Sequence, residues 1–192
     1  MKELEGIMKL FEAKNGITIS KEMFMQVFEQ FSYHTFNKNE MIYRMGSIDT
    51  NIYVITNGIA RLYYIDLEGN DITRYFAQEG DIIFGGEHNL PFAVEAIEDV
   101  ECYKADWNTF REIISEDKNW LKLWNHMLQN AIEYKIYRES CFLMETATQR
   151  YLSFRKNYSE LEKRVSQVHI ASYLGITPVS LSRIRKSIKE GL

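Results

Sequence analysis

The sequence predicts an α+β protein of 192 residues: an antiparallel β-barrel or sandwich entered through short helices, then a long helix, then a small helical segment. Three observations carry this prediction. Residues 32–107 are rich in Tyr, Ile and Val and are cut into short runs by glycines; a helical periodicity sets in near Trp107 and persists to Met144; and the charge changes sign close to residue 149. With 45% hydrophobic and 26% charged residues the chain is not of the disordered class. At this length it can bury roughly 70% of its unfolded surface, enough for one core and a small second one.

The elements follow in order. The opening stretch "MKELEGIMKLFEAKNG" interrupts its apolar residues with charge and lacks the apolar centre of a signal peptide. Ile7, Met8 and Phe11, then Met23, Phe24, Val27, Phe28 and Phe31, keep helical spacing, so residues 3–31 read as short helices. The runs "NIYVIT", "IARLYYID" and "DITRYFA" are separated by "NG" and "EGN", with Gly46, Gly58, Gly69, Gly80, Gly85 and Gly86 at or near the turns. Strand–turn–strand signals at such short spacing favour antiparallel pairing.

Beyond Trp107, the residues Trp120, Leu123, Met127, Asn130, Tyr134, Tyr137, Cys141 and Met144 recur at alternating steps of three and four. Leu121, Trp124, Leu128 and Ala131 form an adjacent stripe. Two stripes fit either one wide core-facing surface or a helix with a second partner, most simply its own copy. Asn130 within the seam favours the paired reading, in which Trp120, Trp124, Met127 and Tyr134 lie near the two-fold axis.

The C-terminal stretch differs in charge. From Gln149 onward nine basic residues (Arg150, Arg155, Lys156, Lys163, Arg164, Arg183, Arg185, Lys186, Lys189) face three acidic ones (Glu160, Glu162, Glu190), a net of +6 in a chain whose total is −4. A basic tail on an acidic body points to a polyanion as the tail's partner. Within it, "QVHIASYLGITPVSLSRIRK" places Ile170 and Leu174 on one helical side, then Gly175, which turns left-handed without steric cost. Thr177 is a good N-cap, Pro178 suits the first helical position, and Leu181, Ile184 and Ile188 share a face of a second helix. Ala171 is small enough to let the two backbones approach.

Counted from Gln167, the small residue is fifth, the glycine ninth, and apolar residues are fourth, eighth, tenth, fifteenth and eighteenth. That is the helix-turn-helix pattern, and an ordinary helical hairpin has no need of basic residues on its outer face. On a helical wheel Val179 and Arg183 point most directly outward, with Ser182 and Lys186 beside them, the face a recognition helix presents to the major groove. Arg183 suits a bidentate contact to guanine, and Lys186 a base or a phosphate. Gln167, Thr177 and Ser180 suit phosphate contacts, while Arg185 lies near the buried flank.

With these residues in place, the whole chain resembles the Crp/Fnr transcription regulators. The resemblance rests on "IYVITNGIARLYYIDLEGNDITRYFAQEGDIIFG", "VEAIEDVECYKAD" and "QRYLSFRKNYSELEKRVSQVHIASYLGITPVSLSRIRK". It implies an N-terminal antiparallel β-roll of the cyclic-nucleotide-binding type (a double-stranded β-helix or jelly roll), a long dimerisation helix and a C-terminal helix-turn-helix domain. The implied divisions are a sensor at 1–115, a dimerisation helix at 116–145 and a DNA-binding domain at 146–192. It also implies a homodimer on double-stranded DNA, an unidentified small-molecule effector, RNA polymerase as a further partner, and a cytoplasmic location.

Two departures from the family pattern stand out. Only Glu190, Gly191 and Leu192 follow Lys189, so the β-hairpin wing of many members is not expected. Nucleotide-binding members hold the phosphate with a Gly–Glu pair followed by an arginine, whereas here "FGGEHNLPFAVEA" sets Leu90 where the arginine would be. Gly85, Gly86 and Glu87 remain, and with Phe92 and Val94 they mark the expected effector pocket. Between Arg74 and Lys104 there is no Lys or Arg, yet Glu79, Asp81, Glu87, Glu95, Glu98, Asp99 and Glu101 are acidic. Only a cation borrowed from Arg61 or Arg74 could offset a buried phosphate, so cyclic AMP is not the expected ligand.

Other classes have less support. Cys102 and Cys141 form no paired motif, which suits a reducing compartment and argues against a disulfide, a zinc site or an iron–sulfur cluster. His34, His88, His126 and His169 lack metal-ligand spacing, and no nucleophilic triad or phosphate loop is visible, so neither cofactor nor catalysis is expected. No apolar run approaches the ~18 residues of a membrane span. The alternative to a DNA-binding regulator is a small-ligand sensor whose helical tail binds protein.

Overall fold

The computed structural model describes residues 2–86 and 90–190, with side chains from Glu5 onward. Two helices, α1 (Lys2–Asn15) and α2 (Lys21–Phe28), precede eight strands: β1 (Ser32–Phe36), β2 (Met41–Tyr43), β3 (Asp49–Asn57), β4 (Ala60–Ile65), β5 (Asp71–Ala77), β6 (Ile82–Gly86), β7 (Ala93–Ala96) and β8 (Val100–Asp106). Six helices follow: α3 (Trp107–Glu116), α4 (Lys118–Met144), α5 (Ala147–Asn157), α6 (Ser159–Arg164), α7 (Gln167–Leu174) and α8 (Pro178–Lys189). The strands form two four-stranded sheets, ordered β1-β8-β3-β6 and β2-β7-β4-β5. This is the expected α+β architecture, an antiparallel β-roll followed by a long helix.

Strand β3 explains why the run "NIYVIT" lacks the alternation of a half-exposed strand. It lies between β6 and β8, and Ile52, Tyr53, Val54 and Ile55 are all buried. Ile52 and Val54 join a core built with Phe11, Phe24, Phe28, Phe110, Trp120 and Leu123 from the surrounding helices. Tyr53 and Ile55 point to the opposite side of the sheet, as the pleat requires. A strand covered on both faces reads as continuous apolar sequence.

The chain divides into two compact units. The first comprises Met1–Leu62 and Phe76–Ala131, the second Tyr63–Tyr75 and Ile132–Leu192. In the first, the rings of Phe24, Phe28 and Phe31 stack in sequence at 4.7 and 5.0 Å. In the second, Tyr151, Phe154, Leu161, Ile170, Leu174 and Leu181 are buried. There the Ser172 hydroxyl donates to Asp71 O at 2.8 Å and accepts from Thr73 N at 2.9 Å, tying α7 to the far half of the β4–β5 hairpin.

Helix α4 is shared between these units and, at 27 residues, is about 40 Å long. Trp120, Leu123 and Cys141 are buried, whereas Leu121, Leu128, Ile132, Ile136 and Leu143 are exposed. At 100° per residue these five fall within an arc of about 80°, on the side away from Leu123 and Cys141. The helix therefore does carry two apolar stripes, one against the core and one open.

Candidate nucleic-acid interface and effector pocket

The helix pair near the C-terminus is built by local rules. Ser166 caps α7 by accepting from His169 N, and Thr177 caps α8 by accepting from Ser180 N at 3.1 Å, with Pro178 in its first turn. Between them Gly175 has φ +66°, and the Ile176 N–H returns to Ala171 O at 3.0 Å. A Cβ at Gly175 would stand 2.6 Å from Phe142 Cε1, so both backbone conformation and space call for glycine. Ala171 and Leu181 are wholly buried where the two helices meet.

That anchoring decides which residues face out. Gln167, Thr177, Val179, Ser182, Arg183 and Lys186 are exposed, and Ser180 is half-buried with its hydroxyl 2.9 Å from that of Thr177. Val179 is 61% exposed, which no packing role explains. Lys186 has only a loose, exposed ion pair with Glu190 at 3.8 Å. Thus Val179, Ser182, Arg183 and Lys186 share an open basic face.

Not every basic residue of the tail belongs to it. Arg185 is half-buried, and its charge is felt by the Tyr151 phenol. That phenol donates to Glu162, and burial pushes it up to about 12. Arg155 pairs with Glu162 at 3.3 Å. Arg150 donates to Leu174 O at 3.0 Å and Glu145 O at 2.7 Å, closing the carbonyl ends of two helices. Sequence alone counted Arg150 as tail charge; nothing in its spacing marked it as a strut.

The residues expected near a two-fold axis have packing partners within the chain. Trp120 is 5% exposed, and Trp124 and Met127 pack against the same core. Tyr134 is half-buried, with its hydroxyl 3.0 Å from that of Tyr173 and its ring 5.3 Å from that of Tyr75. Burial pushes the Tyr134 phenol up to about 12. Trp120, Trp124 and Met127 turn toward the Phe-rich core of the first unit, where their large apolar surface is best buried, while Tyr134 packs within the second unit. The open stripe instead contains Leu121 and Leu128, members of the second stripe seen in sequence.

In the expected effector pocket, Glu87 lies outside the described residues, as does His88. Phe92 and Val94 are buried, with the Phe92 ring 5.7 Å from that of Tyr43. Gly85 serves strand pairing: a Cβ there would lie 1.8 Å from Asp49 O, at the irregularity where β3 and β6 change register. Gly86 is paired with Asp49 itself. The Asp49 carboxylate accepts from Asn51 N at 2.9 Å and from the Tyr53 hydroxyl at 2.8 Å. Burial, with that hydrogen bond second, drives the Tyr53 phenol far above its ordinary value.

The cations that could have been borrowed are committed elsewhere. Arg61 is buried and paired with Glu95 at 2.8 Å, and Arg74 lies over the Tyr64 ring at 5.8 Å. Leu90 contributes its carbonyl, which accepts from Gly46 N at 3.0 Å. Glycines flanked by the Asp49 carboxylate, with Arg61 already paired to Glu95, make a poor cradle for a phosphate. Among the described residues no group of three or more His, Cys, Asp or Glu could hold a metal ion, and no helix is long and apolar enough to cross a membrane.

Residues 33–117 match the cyclic nucleotide-binding domain family. No curated protein matches the chain. Among solved structures, FixK2 from Bradyrhizobium japonicum is 20% identical with a TM-score of 0.74, covering 84% of this chain and 85% of its own. A CooA variant from Carboxydothermus hydrogenoformans is 19% identical with a TM-score of 0.74, covering 94% and 84%. The c-di-GMP responsive global regulator CLP of Xanthomonas campestris is 11% identical, also at 0.74, covering 90% and 93%. At these identities the likeness is one of fold, and it extends over nearly the whole chain.

Proposed function

We propose that this chain is a homodimeric, sequence-specific DNA-binding transcription regulator whose β-roll does not take cyclic AMP. The observation that carries the reading is the open face of Val179, Ser182, Arg183 and Lys186 on a helix pinned by the buried Leu181. Such a face matches the donor and apolar groups needed at base edges in the major groove. Residues 1–115 act as the sensor, 116–145 as the dimerisation helix and 146–192 as the DNA-binding segment. The exposed stripe Leu121, Leu128, Ile132, Ile136 and Leu143 is the dimer contact, because a contiguous apolar stripe of this kind is costly to leave in water. A soluble regulator with RNA polymerase as a further partner follows from the same reading.

The test is a fluorescence anisotropy titration with genomic fragments at several salt concentrations. The reading expects specific binding that weakens steeply with salt as counterions are released. Binding that is absent or indifferent to salt overturns it and favours a tail that contacts protein. Calorimetry with cyclic AMP is expected to give no heat; a dissociation constant in the micromolar range would show that the pocket finds a cation after all.

A further inference from the structure

Helix α8 carries twelve residues, "PVSLSRIRKSIK", and their chemistry is one-sided. None is Asp, Glu, Asn or Gln, the side chains that accept from the amine of cytosine or grip adenine with two bonds. Of its hydroxyls, that of Ser180 is engaged with Thr177 at 2.9 Å, and Ser187 is half-buried. The exposed Ser182 serves a donor or an acceptor alike, so it selects little. What remains on the open face is two cations, Arg183 and Lys186, and one apolar group, Val179.

Stability of the fold does not account for Val179. At 61% exposure it buries little, and its branched Cβ makes valine only a middling helix former. The helix start is secured without it: Thr177 caps α8, Pro178 presets its first turn, and Leu181 is wholly buried beneath. Val179 is the second residue of α8, in the N-terminal turn that a recognition helix directs at base edges. Four residues on, Arg183 lies about 6 Å further along the axis and about 40° around it, so the two share a face. That rise spans about two base-pair steps.

We propose that Val179 is a specificity-determining residue that reads the C5-methyl group of a thymine in the major groove. Of the four bases only thymine presents an apolar group there, so it is the one base edge that an isopropyl group distinguishes by contact. The thymine lies within about two to three base pairs of the guanine read by Arg183. The proposal rests on the DNA-binding function proposed above and adds what the face selects. Guanine is chosen through the cations and thymine through the valine, with no carboxylate or amide on α8 to choose adenine or cytosine.

The test removes the methyl and nothing else. The full chain selects a duplex from a random-sequence pool, and each thymine of one half-site is then replaced in turn by deoxyuridine, which pairs identically but lacks the C5-methyl. Anisotropy titration at fixed salt is expected to find a thymine whose replacement weakens binding about three- to five-fold, the worth of one methyl taken out of water. Val179→Ala should melt as the natural chain does, because the side chain is exposed, and should bring that ratio close to one. A second measurement needs no variant. Exchanging the same T·A pair for C·G should weaken binding, and 5-methylcytosine in the cytosine's place should recover about the factor that deoxyuridine lost. If no thymine responds to deoxyuridine, if every response survives Val179→Ala, or if the methyl on cytosine recovers nothing, the proposal is overturned while the regulator stands. Failure to select any duplex overturns both.

Discussion

At the scale of single residues, Arg183 and Gly85 make opposite demands. Arg183 is exposed and dispensable to the fold, so Arg183→Ala should leave the melting temperature unchanged. It should weaken specific operator binding by ~1–3 kcal/mol and relax base preference at one position of each half-site. Competition against random DNA checks this: equal loss on both would reduce Arg183 to a phosphate contact. Gly85 is the reverse case. An added methyl would meet Asp49 O at 1.8 Å, a backbone atom that cannot swing away. Gly85→Ala should therefore destabilise the β-roll by ~1–3 kcal/mol, visible as a lower melting temperature, while operator contacts stay intact at temperatures where the chain is folded. An unchanged melting temperature would mean the β3–β6 irregularity has room to relax.

Among the elements, α4 separates what sequence could convey from what it could not. The inward stripe was legible, and of the open one Leu121 and Leu128, because helical periodicity survives any tertiary context; that Ile132, Ile136 and Leu143 continue the open stripe was not. Which stripe turns inward was not, since periodicity carries no information about the partner surface; the aromatic side chains from α1, α2 and α3 settle that by offering Trp120 and Trp124 a better burial than water-filled space. The same limit applies to Arg150, whose role as a helix-end strut depends on the distant Leu174 carbonyl. By contrast α7 and α8 were legible almost residue by residue, because caps, a left-handed glycine and Pro at the first position are local signals. If the open stripe is the dimer contact, replacing Leu128 and Ile132 together by glutamate should give a monomeric mass in light scattering at micromolar concentration. Trp124, facing inward, should not behave this way: Trp124→Glu is expected to unfold the first unit instead. A dimer that survives the Leu128 and Ile132 changes would place the contact elsewhere.

For the whole molecule, burial moves five of its phenols and thiols in one direction. Burial pushes Cys102, Tyr134 and Tyr151 up to about 12, and drives Tyr158 and Tyr173 upward as well. The unfolded chain would release these protons near ~8.5 for the thiol and ~10 for the phenols. Folded values above unfolded ones mean stability that is complete below about pH 8.5 and drains away as pH rises toward about 12. Urea midpoints measured at pH 8, 9.5 and 11 should fall in that order, and a flat series would contradict the burial of these groups. The two bonds of Ser172 have a different reach in time. They join residues 99 and 101 positions apart, within a unit assembled from two separated stretches of chain. Closing so long a loop must be completed before the contact returns anything, so it belongs late in folding. Ser172→Ala should accordingly speed unfolding and leave the folding rate untouched; a slowed folding rate would put the contact in the nucleus. During synthesis the stretch Tyr63–Tyr75 leaves the ribosome well before α7, so the two Ser172 bonds can close only when nearly the whole chain has been made.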